Sequence, residues 1–308
     1  MNGVVILDKP AGRTSHDVVA EVKRVIGARK AGHTGTLDPL ATGVLPVCLN
    51  EATKLAAFLG DDTKTYMATM RLGITTDTLD REGKVIEKCE HCTDKELIRE
   101  TLRQFEGAIQ QTPPRYSAVK YQGKALYEWA RQGNPVDVSP KTVHIYYIEV
   151  NDISLPDVTF TAHCSKGTYI RALCADAGEK LGCGACLIAL RRIRSGLFDE
   201  SAAIRLDSIT PMNRRDTLLS RVIPMADVLA GATTVEVEEN LAARIRSGYQ
   251  PGNEMLVPGD KPFLATGDMI KFIHHGSLVA VARIRCDSGQ MDLRNTPQAI
   301  KILRVFNE

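Results

Sequence analysis

Residues 32–43 read Gly32-His33-Thr34-Gly35-Thr36-Leu37-Asp38-Pro39-Leu40-Ala41-Thr42-Gly43, the densest run of functional residue types in the chain. Glycines let a backbone approach a ligand closely and threonines add hydroxyls, so the run reads as a binding loop. A phosphate-cradling loop is the first rival. It needs Lys and then Ser or Thr directly after its last glycine, whereas Gly35 is followed by Thr36 and Gly43 by Val44, which rules it out. Asp38 precedes Pro39, so its backbone is driven extended and its carboxylate sits on a stiff turn. Spacing alone favours a plain Asp-Pro turn initiator for that pair, and a structural hydrogen-bonding role for His33.

Working outward, Gly3 to Leu7 is a short strand-like run that ends in the turn Asp8-Lys9-Pro10-Ala11-Gly12. Ser15 is expected to cap a helix whose Val18, Val19, Val22, Val25 and Ile26 share a face, with Gly27 as its stop. Beyond the loop, Val44 to Leu49 reads as a strand, and a short helix runs from Glu51 to Leu59, capped by Asn50. Tyr66, Ala68, Met70 and Leu72 alternate on one strand face. Thr93-Asp94-Lys95-Glu96 reads as a capping box, and Tyr116 to Tyr121 with Gln122-Gly123 as part of a hairpin. Val143 to Val150 and Val158 to Cys164 are strands, and Thr168 to Leu181 a helix. Strands mixed with helices, without a βαβ period, predict an α+β fold with a mixed, largely antiparallel sheet flanked by helices.

The chain has 308 residues, more than one compact core usually holds, so a large domain plus a small one is expected. Ala230-Gly231-Ala232 is the expected joint, giving domains 1–231 and 232–308. The second carries short strand-like runs separated by Gly/Asp turns at 258–260, 266–268 and 275–277, the spacing of a small β-barrel or sandwich. No apolar run approaches the ~20 residues that span a bilayer, so no membrane is expected. No export signal is visible at the N-terminus, so the cytoplasm is the expected compartment.

Net charge is +2, which does not by itself announce a nucleic-acid partner. From Cys164 to Arg215 there are nine Lys and Arg against five acids, and from Asp77 to Glu100 five against eight. The first stretch is either a docking side for phosphates or an ordinary solvated face. Eight cysteines include Cys89-Glu90-His91-Cys92 and Cys183-Gly184-Ala185-Cys186, both with zinc or redox spacing. The pairs lie too far apart for a zinc ribbon, so reduced, mostly buried thiols and no metal are expected. A zinc-dependent base deaminase would need His-x-Glu followed by Pro-Cys-x-x-Cys, which the chain lacks.

Lys166-Gly167-Thr168-Tyr169-Ile170-Arg171 forms a second constellation at the mouth of a helix. Tyr169 and Arg171, two apart within a first turn, are expected to diverge. Arg171 is either a surface charge or the partner of a buried carboxylate that it keeps ionised. Tyr66 reads by default as a core aromatic with a satisfied hydroxyl.

Five blocks then appear in order: Leu7-Asp8-Lys9-Pro10 with Gly12 and Thr14-Ser15; the run 32–43; Arg71-Leu72-Gly73 with Thr76-Asp77-Thr78 and Asp80; Pro114 with Tyr116-Ser117-Ala118; and Gly167-Thr168-Tyr169-Ile170-Arg171. Together they resemble the TruB family of bacterial tRNA pseudouridine-55 synthases over nearly the whole chain. The segment from Gln132 to Val143 departs from that family's pattern. The resemblance implies a pseudouridine-synthase fold with a small C-terminal PUA-like barrel, no cofactor, a monomer, and the tRNA T-stem-loop as partner. It implies Asp38 as the catalytic aspartate, Tyr66 as the aromatic stacked on the target base, and Arg171 as the carboxylate's partner. His33, Tyr169 and Leu190 would line the substrate pocket. The rival is a non-catalytic RNA-binding or RNA-folding module using the same groove.

Overall fold

The computed structural model describes residues 1–60, 63–90, 93–251, 264–285 and 299–307. Strand β1 (Gly3–Lys9) leads into helix α1 (Ser15–Ile26), and β2 (Ala31–His33) precedes the loop that ends in β3 (Thr42–Leu49). Helix α1 turns Val18, Val19, Val22 and Ile26 onto β1 and β3, as its periodicity predicts. Its cap is Thr14 rather than Ser15: the Asp17 backbone N–H donates to the Thr14 hydroxyl, and the Thr14 N–H donates to the Asp17 carboxylate. An acid three residues past the cap closes that reciprocal pair. Ser15 is thereby freed to turn inward, where its Oγ donates to Leu37 O and accepts from Leu37 N.

Two further helix starts shift for similar reasons. Asn50 has φ +51°, and its side chain accepts from the Arg29 and Lys30 N–H groups and donates to Met1 O. It therefore does not cap; residues 50–55 form a 3₁₀ turn before α2 (Ala56–Gly60). Asp94, not Thr93, caps α3 (Lys95–Arg103) by accepting from Glu96 N and Leu97 N.

Strand β4 (Lys64–Leu72) is followed by the hairpin β5 (Ile74–Thr76) and β6 (Val85–Lys88), then by α3 and β7 (Gly107–Gln111). The expected hairpin is β8 (Lys120–Tyr121) with β9 (Lys124–Ala125), continuing into α4 (Leu126–Arg131). Next come β10 (Lys141–Ser154), β11 (Asp157–Cys164), α5 (Ile170–Lys180), β12 (Ala185–Ser195) and β13 (Phe198–Asp199). The main sheet runs β1-β3-β12-β4-β11-β10-β7, with β2 and β13 attached. Every pairing is antiparallel except β3 with β12, so the sheet is mixed and largely antiparallel, as predicted. Its apolar face carries Ala68, Met70, Leu72 and Phe160 against Leu173, Cys174 and Ala177 of α5 and Ile98 and Leu102 of α3. Burying each of the Leu, Ile, Met and Phe side chains among these contributes roughly 1.5–3 kcal/mol.

Helices α6 (Arg214–Ser220) and α7 (Met225–Val228) lead to β14 (Thr233–Glu236), α8 (Glu239–Arg246), β15 (Met269–His274), β16 (Ser277–Ile284) and β17 (Ile300–Val305). The last four strands form a sheet in the order β14-β15-β16-β17. The expected barrel is not seen: among the described residues this sheet stays open, with β14 and β17 as its edges. Turns stand where expected at 266–268 and 275–277; the one expected at 258–260 lies outside the described residues. Ile273, Leu278, Val281 and Phe306 share a core with Val4, Val44, Met225 and Val228 of the large body. Lys271 Nζ also donates to Ala226 O at 2.6 Å.

Cys48, Cys164, Cys174, Cys183 and Cys186 are buried free thiols and Cys89 is an exposed one; Cys92 and Cys286 lie outside the described residues. Among the described residues no cluster of His, Cys, Asp or Glu could hold a metal ion, and no helix is long and apolar enough to cross a membrane.

Candidate active site

The loop between β2 and β3 has no strand partner, so its carbonyls and amides are tied down one at a time. Lys9 ends β1 opposite Gly43 and is wholly buried. Its ammonium donates to Ala41 O (2.7 Å), Pro10 O (2.8 Å) and Pro39 O (3.3 Å). Burial pulls the Lys9 pKa down to about 8, against the opposing pull of Asp38. Gly12 N donates to Pro39 O at 2.8 Å, and Ser15 grips both backbone groups of Leu37. Residues 37, 39 and 41 are thus fixed, and the Asp38 carboxylate projects from a loop with little freedom.

Arg171, the second residue of α5, meets that carboxylate at 2.9 Å (Nε to Oδ2). Its Nη1 donates to Thr78 O (3.0 Å) and its Nη2 to Tyr116 O (2.8 Å). Asp80 Oδ2 lies 3.7 Å from Nη1, and Asp80 is itself held by the Thr78 hydroxyl and Glu82 N. A planar guanidinium has five donors in a fixed fork, which suits this convergence of three chain segments. Arg171 is therefore no surface charge. Its electrostatic effect is smaller than the sequence suggests, however. Burial pushes the Asp38 carboxyl above the usual carboxylate range, and Arg171 opposes that shift without cancelling it, with Asp80 adding to the rise.

Two cavities meet at this ion pair. The first, about 270 Å³, is lined by Asp38, Tyr66, Tyr169, Arg171, Leu190 and Arg192. The second, about 520 Å³, is bordered by His16, His33, Tyr127 and Arg131 together with Asp38 and Arg171. Five of the six residues singled out from sequence thus share one cavity, and His33 belongs to the other. Burial and the Arg192 charge hold the His33 imidazole below its usual range, which keeps it neutral.

The expected divergence of Tyr169 and Arg171 is corrected by where the helix begins. Tyr169 is the residue before α5, extended at φ −104°, ψ 107°, so the two side chains do not follow helical spacing. Gln111 fixes it there, accepting from Tyr169 N at 2.7 Å and donating to Tyr169 O at 3.0 Å. Tyr66 sits at the end of the apolar face of β4; burial raises its phenol, and the neighbouring Arg192 opposes that.

Lys9, Asp80 and Arg192 are the residues that sequence reasoning left without a role. Arg192 had a readable signal. Neighbours on a strand face opposite ways, so one of Arg191 and Arg192 had to point inward. Arg191 takes Asp8 and Glu200; Arg192 is 1% exposed.

Two family models match the chain, the N-terminal domain of TruB family pseudouridylate synthases over residues 23–170 and the C-terminal domain of tRNA pseudouridylate synthase B over residues 171–230. A tRNA pseudouridine synthase B of Syntrophus aciditrophicus is 54% identical over 100% of this chain and 99% of its own length. One from Geobacter sulfurreducens is 39% identical over the whole of both chains. Among solved structures, a chain of a Cbf5-Nop10-Gar1 complex superposes with a TM-score of 0.72 at 31% identity, covering 99% of this chain and 85% of that one. A chain of an H/ACA RNP bound to a substrate RNA containing 2'-deoxyuridine gives a TM-score of 0.70 at 29% identity, with the same coverage. End-to-end similarity at this level, in a chain whose half-buried Asp38 meets the buried Arg171 beside the sheet, makes it a member of the TruB family of pseudouridine synthases.

Proposed function

We propose that this enzyme isomerises a uridine of tRNA to pseudouridine, at position 55 in the T-loop, with Asp38 as the catalytic carboxylate. The observation that carries the reading is the Asp38–Arg171 contact at 2.9 Å on the wall of a cavity of about 270 Å³. That volume lies just below the ~300–1,000 Å³ of pockets for drug-sized ligands, which suits one nucleobase with its sugar.

The reaction breaks the N1–C1′ bond, turns the uracil and rejoins it through C5. It needs neither redox change nor an energy source. A carboxylate here can add to C1′, add to C6 of the ring, or remove the C2′ proton to give a glycal. Each role uses the ionised form, and burial works against that form; the fixed cation of Arg171 restrains the shift. The target uridine lies in a stacked loop and has to be swung out, at a cost of a few kcal/mol. Stacking on Tyr66 returns about 1–3 kcal/mol of that. Tyr169 and Leu190 frame the remaining cavity wall. His33, neutral and in the adjoining cavity, fills the vacated stack or hydrogen-bonds the displaced strand.

In this reading residues 1–231 form the catalytic domain and 232–308 a PUA-like RNA-binding domain. The enzyme works as a monomer in the cytoplasm and requires no metal. Asp38→Asn is expected to abolish pseudouridine formation on a T-arm RNA, while binding of that RNA stays within about tenfold, since the charge removed contacts the reacting nucleotide and not the phosphates. Turnover by this variant near the wild-type rate removes Asp38 from the mechanism. A wild-type protein that binds the T-arm and yields no pseudouridine is the non-catalytic RNA binder instead.

A further inference from the structure

Arg192 is shut away from solvent, and among the described residues no carboxylate forms an ion pair with it. Its Cα stands opposite Tyr66 on β4 and opposite Gly43 on β3, so it occupies the middle strand between the two elements that carry the site. The side chain crosses to β3, where Nε donates to Val44 O at 2.7 Å, and reaches the catalytic loop, where Nη2 donates to Gly35 O at 3.1 Å. A Cβ added at Gly35 would lie 3.4 Å from Nη1. Arg192 and Tyr66, paired across the ladder, both line the smaller cavity, and the Arg192 charge opposes the rise of the Tyr66 phenol. Just past Arg192 the register of β12 on β4 slips, between Arg192 and Arg194, and a bulge of this kind re-aims a side chain.

Burying a guanidinium is costly unless its donors are used, and here Nε and Nη2 are given to a strand carbonyl and a loop carbonyl. Gly35 lies three residues before Asp38, and Tyr66 lies directly across the ladder. We propose that Arg192 is a positioning residue, which locks the Gly35 end of the Asp38 loop and the Tyr66 ring into one unit so that carboxylate and phenol address the extruded base from set directions. The inference rests on the reading of Tyr66 as the ring that faces the base, and it adds the group that holds that ring in register with the carboxylate.

The test uses the full chain with Arg192→Lys and Arg192→Gln, each also combined with Tyr66→Phe, together with Tyr66→Ala. Lysine keeps a buried cation but not the planar fork, so it separates lost geometry from a failure to fold. Arg192→Lys is expected to lower kcat about a hundredfold, as ~1 Å misplacements do, with T-arm affinity within about threefold. In the Tyr66→Phe background the further loss should be much smaller. With 3-fluorotyrosine at position 66, Arg192→Gln should move the phenol titration to higher pH, a readout that does not depend on turnover. A kcat within about twofold of wild type for Arg192→Lys, or an unmoved phenol titration with fully additive kinetic losses, overturns the inference. Full activity of Tyr66→Ala overturns the underlying reading of Tyr66 instead, and is seen without touching Arg192.

Discussion

The loop at 34–41 and the C-terminal sheet solve the same problem by opposite means. In the sheet of β14 to β17, backbone groups satisfy one another along the ladder, and Val, Ile, Leu and Phe fill the space between. One buried charge, Lys271, joins it to α7 through Ala226 O. The loop has no such ladder, and buried backbone groups still need partners. Long cations and a serine hydroxyl reach in from β1, α1 and β12 to supply them. Charge-assisted hydrogen bonds are shorter and roughly twice as strong as neutral ones, so each tie from Lys9 or Arg192 holds more firmly than one rung of the ladder. Precision at the site is therefore electrostatic in origin.

If that contrast holds, the largest effect should come from the cation that ties the Asp38 carboxylate to two chain segments outside the loop. Arg171→Ala is expected to destabilise the fold by about 3 kcal/mol, because a half-buried carboxylate and two carbonyls lose their donor together, as read by urea unfolding. It should also shift the acid limb of kcat to higher pH, since the Asp38 carboxyl already titrates above its ordinary value and Arg171 is the main influence lowering it. The sign for stability is opposite to that for activity. A folded carboxyl that binds its proton more tightly than the unfolded one gains stability as pH falls through the folded pKa, while the ionised, reactive form disappears. An acid limb that stays in place in Arg171→Ala would break the comparison.

Gly43→Ala should rank next. Its φ is +102°, and an added Cβ would meet the Arg192 carbonyl oxygen at 2.2 Å, which forces β3 and β12 apart where they run parallel. A loss of about 3 kcal/mol in urea unfolding is expected; a loss below about 1 kcal/mol would mean the strands give way more easily than their packing suggests. Lys271→Met should be the mildest, about 1–2 kcal/mol for the abandoned Ala226 carbonyl, with kcat for a T-arm RNA unchanged. A large drop in kcat there would show that the apolar sheet, too, sets the geometry of the site.

The same contrast decides what the sequence could reveal. Alternation made β4 legible residue by residue, and helix periodicity did so for α1, because both patterns follow from burying one face. The caps at Thr14 and Asp94 were missed by one position, since Asp17 and the paired donors at 96 and 97 choose the cap and spacing does not. The four described C-terminal strands stand in chain order, but closure could not be read from the turns, because turns pair neighbouring strands and say nothing of the edges. At the site, Asp38 and Arg171 could be suspected of pairing, but the meeting of Tyr169 with Arg171 required knowing that α5 starts after Tyr169. Lys9 and Arg192 carried no role in the sequence, Lys9 reading only as part of a turn. Only their neighbours, carbonyls with no strand to answer them, explain why two cations are buried beside a reactive acid.

Asp38 and Arg171 stand on the wall shared by two chambers, and of the two only the carboxylate is left partly open to them. Drying either chamber strips water from the same carboxylate and tightens its dependence on the one guanidinium behind it. Filling the larger room therefore also raises the proton affinity of the acid that faces the smaller one, unless the guanidinium makes up the difference.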